Sequence, residues 1–178
     1  MVSKLLEPLA IDFRSLAAFR IGLGLLLLVD LATRAPDILA HYTDAGIAPR
    51  AVVADFYAEI GYRWSLHALS GSWYWQTALF AVASAAALFL TIGRFTRIAT
   101  VASWTLLLSL QFRNPLLSNG GDNLTLLLLF WGMFLPLGRV WSLDARRAAN
   151  RALRFDERSC DHALLSELRR PAMLLNVS

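Results

Sequence analysis

The chain has 178 residues and a formal net charge of +4; 57% of its residues are hydrophobic and 17% are charged. Its mean hydropathy is +0.50. Soluble domains run near half apolar and about a quarter charged, so this balance leans toward lipid. Such an excess of apolar surface excludes a disordered chain, and a single cysteine, Cys160, excludes a disulfide scaffold.

A bilayer core about 30 Å thick asks for about 20 mostly apolar residues per spanning helix. Four segments meet or approach that length, near residues 15–31, 73–92, 95–112 and 123–138. The first centres on Ile21-Gly22-Leu23-Gly24-Leu25-Leu26-Leu27-Leu28-Val29. Arg20 lies about one turn inside it and is expected to snorkel to the near edge of the membrane. Asp30 and Arg34 are four apart and are expected to pair at the far end. A cleaved signal peptide fits poorly, because Arg20 lies within the segment and no small-x-small site follows Val29.

Residues 32 to 72 form the first connection. In it, His41-Tyr42-Thr43-Asp44-Ala45-Gly46-Ile47-Ala48-Pro49-Arg50 reads as a turn and then a helix start. The later run Trp64-Ser65-Leu66-His67-Ala68-Leu69-Ser70-Gly71-Ser72-Trp73-Tyr74-Trp75 supplies aromatics suited to a headgroup belt. Imidazole titrates near neutral pH, which makes His41 and His67 candidate proton-transfer groups. A hydrogen-bonded structural histidine is the commoner case.

The second span carries no charge, and Phe95-Thr96-Arg97 make the interfacial turn of the third. Between the third and fourth spans lies Arg113-Asn114-Pro115-Leu116-Leu117-Ser118-Asn119-Gly120-Gly121-Asp122-Asn123. Its glycines suit either a tight hairpin or a backbone that approaches a ligand closely. Arg113, Asn114, Asn119 and Asp122 together suggest a small polar cleft at one membrane surface. Asp122 or Asn123 is expected to cap the fourth span, which Pro136 and Gly138 stop.

Residues 139–178 read as a basic cytoplasmic tail with a helix over 145–158, opened by Asp144 as N-cap. Arg147, Arg151, Arg154 and Arg158 share one side of that helix, opposite Ala145, Ala148, Ala149 and Ala152, with Phe155 at the margin. It is either a helix lying on an anionic leaflet or a solvated charge run. Cys160 and His162 are too few to close a metal site. If both termini share one side, that side holds Lys4 and Arg14, 94, 97, 139, 146, 147, 151, 154, 158, 169 and 170. The other holds Arg34, Arg50, Arg63 and Arg113, so the positive-inside rule puts both termini in the cytoplasm. The expectation is an all-α, polytopic protein of the cell membrane, with about four spanning helices and a cytoplasmic amphipathic helix. Its partner is the lipid bilayer, joined by a membrane protein or a second copy. Topology accounts for the pI of 9.8, and no nucleic acid is expected.

Taken together, Phe19-Arg20-Ile21-Gly22-Leu23-Gly24, the His41–Arg50 run and Ser65-Leu66-His67-Ala68-Leu69-Ser70-Gly71 resemble the successive signatures of one family. Gly93-Arg94-Phe95-Thr96-Arg97, Arg113-Asn114-Pro115, Asn119-Gly120-Gly121-Asp122 and Trp141-Ser142-Leu143-Asp144 continue the series. The pattern resembles the horizontally transferred transmembrane (HTTM) domain, the bacterial relatives of vitamin K-dependent gamma-glutamyl carboxylase. The resemblance implies a membrane bundle with its reactive centre away from the cytoplasm and a reduced naphthoquinone as cofactor. It implies catalytic roles for His41, Asp44, His67, Asn119 and Asp122 at the external mouth. The family's essential lysine lies in a further helix, which 170–175 begins, whereas the only lysine here is Lys4. Where the animal enzymes carry Asn followed by His, this chain has Asn-Gly-Gly-Asp, and it shows no soluble lumenal domain. The likeness is therefore to an N-terminal portion, not expected to be catalytically competent alone. The alternative is a quinone- or lipid-interacting enzyme subunit completed by a partner.

Overall fold

Long runs of leucine, alanine and phenylalanine without an internal proline leave the backbone one economical way to satisfy its amides, the helix. The computed structural model describes residues 12–61, 64–151 and 153, and among them the regular structure is entirely helical. Helix α1 spans Phe13–Arg34, α2 Ile38–Tyr42, α3 Arg50–Ile60, α4 Trp73–Ile92, α5 Thr96–Arg113 and α6 Gly120–Gly132. A last helix, α7, covers residues 143–151.

Helices α1, α4, α5 and α6 pack side by side in that order, running alternately up and down, and α6 also touches α1. Leu23, Leu27, Ala87, Leu90, Ala99, Leu107 and Leu129 make the core. A second cluster, Leu31, Tyr42, Phe80 and Leu110, lies nearer the end of the bundle that carries α2 and α3, here called the loop end. Helices α1 and α4 meet closely at Gly24, where a Cβ would fall 2.9 Å from the Thr91 amide nitrogen.

Much of the apolar surface faces outward. Leu25, Leu26, Val29, Val82, Leu88, Ile98, Val101, Leu124, Leu127 and Trp131 are all exposed. The stretch Phe13–Tyr42 and helix α4 are long and apolar enough to cross a membrane, yet only 39% and 28% of their most apolar windows are buried within the protein. Polar Ser103, Ser109 and Gln111 interrupt α5, and α6 has only 13 residues.

Several local expectations change. Helix α6 stops at Gly132 rather than near 138. Pro136 has no N–H to offer the Gly132 carbonyl and disfavours helical geometry at Leu135. The chain turns, and Leu137 folds back against Gly132. The cap of α6 is Asn119, not Asp122 or Asn123. Asn119 Oδ1 accepts from the Asp122 amide at 3.1 Å, and Asp122 Oδ2 accepts from the Asn119 amide at 3.2 Å, a reciprocal capping box.

Arg20 does not snorkel. It is fully buried, and its Nη2 donates to the Trp141 carbonyl at 2.8 Å. Asp144 does not cap its own helix either. Its carboxylate accepts from the Phe95 amide at 3.1 Å and from the Thr96 amide and hydroxyl at 3.0 Å each, so it caps α5. Partial burial pushes this carboxyl up, but the Thr96 and Phe95 donors together hold it below the usual carboxylate range. Phe95 takes φ +50, a left-handed conformation that side chains rarely adopt, and Asp144 fixes it there. Ser142 replaces Asp144 at the start of α7, its Oγ accepting from the Ala145 amide at 2.9 Å. Arg20, Gly93, Asp144 and α7 thus define the opposite, tail end of the bundle. Arg154, Phe155, Arg158, Cys160, His162 and the 170–175 stretch lie outside the described residues.

Gly93 is the hinge of this end. At φ +76 it closes α4, with Gly93 N donating to Leu90 O and Arg94 N to Phe89 O. A Cβ here would run into the Arg20 guanidinium and lie 2.5 Å from Ser142 Cβ. Gly93→Ala is therefore expected to destabilise by more than about 1 kcal/mol. Gly22, helical with open space around it, should respond oppositely, Gly22→Ala raising the melting temperature. Thermal unfolding of the two purified variants checks both signs.

Candidate functional site

The loop end gathers the candidate residues in three polar groups, each pinned to a different helix. The first centres on Arg34 in the last turn of α1. Its Nε donates to Asp30 Oδ1 at 2.9 Å and Oδ2 at 3.0 Å, its Nη1 to the Tyr42 hydroxyl at 3.2 Å, and its Nη2 to Asp122 Oδ1 at 2.8 Å. The expected Asp30–Arg34 pair is present, and it is one half of a larger cluster. The side chains of Arg34 and Asp122 are only 14% and 7% exposed. A cavity of about 290 Å³ adjoins this group, lined by Asp30, Arg34, His41, Tyr42 and Asn119 among others. His41 and Asn119 thus share a cavity, and Asp122 sits behind it.

The second group holds Asp44. Its carboxylate accepts from the Arg50 amide at 3.1 Å and from Arg50 Nε at 2.8 Å, with Arg113 Nη2 at 3.5 Å. Its amide donates to Gly71 O at 3.1 Å. The carboxylate rests directly on Gly71, leaving no room there for any Cβ. Slight burial pushes this carboxyl up, but Arg50 and Arg113 prevail and hold it below the usual range. Arg113 is fully buried and also donates from Nη1 to Ala48 O at 2.8 Å. Asn114 Nδ2 donates to the His41 carbonyl at 2.9 Å, tying the two loops together. A cavity of about 510 Å³ opens beside Arg50 and Arg113, walled by Val53, Tyr57, Leu69 and Phe112.

The third group surrounds His67, which is 1% exposed. Ser109 Oγ, on α5, accepts from the His67 amide at 3.1 Å and lies 2.7 Å from Nδ1. Ser65 Oγ donates to Ser109 O at 2.6 Å. Gln76 Nε2, on α4, donates to the His67 and Ser70 carbonyls at 2.8 and 2.7 Å. The imidazole stands edge-on to Phe80. Burial, and then the charge of Arg113, push its pKa down to about 4, so the ring stays neutral across the physiological range.

The five candidates therefore divide. His41, Asn119 and Asp122 come together around Arg34, Asp44 joins Arg50 and Arg113, and His67 is enclosed by Ser109 and Gln76. Sequence reasoning missed Ser109, Gln76, Tyr42 and Gly71. The available signal was the one glutamine of α4 and the serines set among the leucines of α5, where a polar side chain needs a partner. Among the described residues, no group of three or more His, Cys, Asp or Glu is placed to hold a metal ion.

The depressed His67 pKa fixes the sign of a pH effect. The unfolded ring, near 6.5, binds protons that the folded ring refuses until about pH 4. Its contribution is whole above pH 6.5 and falls away toward pH 4, by on the order of 3 kcal/mol in all. Unfolding measured across that window should show this slope in the native protein and lose it in His67→Gln. The chain matches no protein-family model, no curated protein and no solved structure.

Proposed function

We propose that the chain is a multi-pass membrane protein in which α1, α4, α5 and α6 cross the lipid. The loop end lies outside, and the tail end lies in the cytoplasm. The observation that carries this reading is the apolar surface of α1 and α4, most of which is left uncovered among the described residues. Contiguous surface of that kind is stable against hydrocarbon and not against water. Charge distribution supports the orientation. Arg14, 94, 97, 139, 146, 147 and 151 belong to the tail end, against Arg34, Arg50 and Arg113 at the loop end. Exposed Trp64, Trp73, Tyr74 and Trp75 at the loop end suit a headgroup belt. Membership of the HTTM domain is part of the same proposal, supported by the order of its signatures along the chain.

Within that frame the external groups serve to bind and brace rather than to catalyse. Asp44, Asn119 and Asp122 accept from arginines or backbone amides, and His67 is buried against Ser109. A group so engaged must break a protein contact before it can meet a substrate. The topology is tested with single cysteines in a Cys160→Ser background, using a membrane-impermeant maleimide on intact cells. Leu116→Cys, at a position 79% exposed at the loop end, should label, and Arg146→Cys should label only after lysis. The reverse pattern would overturn the orientation, and protein released from membranes by alkaline carbonate would overturn the membrane reading.

A second reading has one specific observation behind it. The 510 Å³ cavity combines Tyr57 and Phe112 with two guanidinium groups, a lining suited to an aromatic ring bearing a carbonyl or hydroxyl oxygen, such as a naphthoquinone. Menadione binding measured in detergent should weaken roughly tenfold or more in Arg50→Gln if that arginine donates to the ring oxygen. Equal binding by the variant would remove this reading.

A further inference from the structure

At the tail end a cavity of about 540 Å³ opens between the start of α5, the turn after α6, and α7. Four guanidinium groups line it: Arg97 from α5, Arg139 from the turn, and Arg147 and Arg151 one helical turn apart on α7. One carboxylate, Asp144, stands among them; its oxygens accept from Phe95 and Thr96, and its charge also attracts Arg147. Among the described residues, none of the four guanidinium groups makes a hydrogen bond or a close ion pair. Arg139 lies over the Phe13 ring at 5.3 Å. Four like charges around one hollow repel, and the single carboxylate leaves most of that charge uncompensated.

Apart from Thr96 and Thr100, the rest of the lining is apolar or glycine. Leu135, Pro136 and Leu137 form one wall and Ile98 another. From there the surface continues onto exposed Ile98, Phe134 and Phe95, at 70%, 71% and 50% of full exposure. A cluster of four cations facing one carboxylate therefore borders an oily face at the end of the bundle assigned to the cytoplasm.

We propose that this cavity binds the phosphodiester headgroup of an anionic phospholipid. The arginines hold the phosphate by charge-assisted hydrogen bonds, and Ile98 and Phe134 meet the acyl chains. Free phosphate shares the anion chemistry but leaves the apolar wall bare. The site rests on the membrane reading above.

The test uses full-length protein, delipidated in neutral maltoside micelles. It is titrated separately with phosphatidylglycerol, phosphatidylcholine and inorganic phosphate, and retention is read by native mass spectrometry. Phosphatidylglycerol should be retained about tenfold better than phosphatidylcholine. Losing one arginine should weaken it about fivefold, and the pair Arg97→Gln and Arg147→Gln roughly 25-fold. Arg146→Gln, exposed on α7 but outside the cavity, should leave retention unchanged. If the double variant unfolds, Arg151→Gln alone carries the comparison. Equal retention of the two lipids overturns the site, as do wild-type binding by the arginine variants or an equal loss in Arg146→Gln. Displacement of phosphatidylglycerol by phosphate at equal concentration overturns it too. Protein that stays monodisperse in water without detergent removes the membrane reading itself. Protein that needs detergent but shows no headgroup preference removes only this site.

Discussion

Arg34 ends α1 and holds Asp30, Tyr42 and Asp122 at once, joining three helices through one planar group. Leucine-rich helices pack against each other in many registers with little difference in energy, whereas a fork of directed hydrogen bonds accepts one. Removing a single partner from a pair this enclosed leaves a charge stranded, at a cost of about 3–5 kcal/mol. Arg20 performs the corresponding task at the opposite end. It ties α1 to the Trp141 carbonyl across the gap that Gly93 leaves open. With α1 fixed at both ends, the apolar contacts between it and α4 need only fill space.

The irregular loops depend on the same logic. Residues 64–72 have little regular hydrogen bonding of their own, so their carbonyls and amides are satisfied from below by Gln76 on α4 and Ser109 on α5. Asp44 then locks the 43–50 loop over Gly71 and against Arg113. The loop end is a set of mutually braced segments rather than a free rim. His67 belongs to the bracing, and a wider hollow than the one beside His41 opens next to Arg50 and Arg113.

Much of this was legible in the chain. Apolar run lengths place α4 at the expected Trp73–Ile92, and the four-residue spacing of Asp30 and Arg34 shows their pair. Pro49-Arg50 marks the start of α3. What escaped were contacts made between segments far apart in sequence. Asp144 looks like the cap of the helix it precedes, yet it caps α5, 48 residues upstream. Arg20 reads as a snorkelling side chain because nothing nearby in sequence can satisfy it; its acceptor is 121 residues away. Asp122 reads as an N-cap because the preceding glycines suggest a loop, while the backbone is already helical from Gly120. Local rules identified the polar groups correctly and assigned them to the nearest helix, where the fold used them for a distant one.

The shortness of α6 bears on the surrounding lipid. Its 13 residues rise only about 20 Å, against about 33 Å for the 22 of α1. On the membrane reading, the hydrocarbon slab meets a low step on one flank of the bundle. Acyl chains there must shorten or bend, at fractions of a kcal/mol for each ångström of mismatch. Exposed Trp131 and Phe134 stand at the lip of that step, positioned to anchor the dimpled leaflet. The flank of α6 is thus the place where this protein would pinch the bilayer, and where a neighbour of matching height would relieve it.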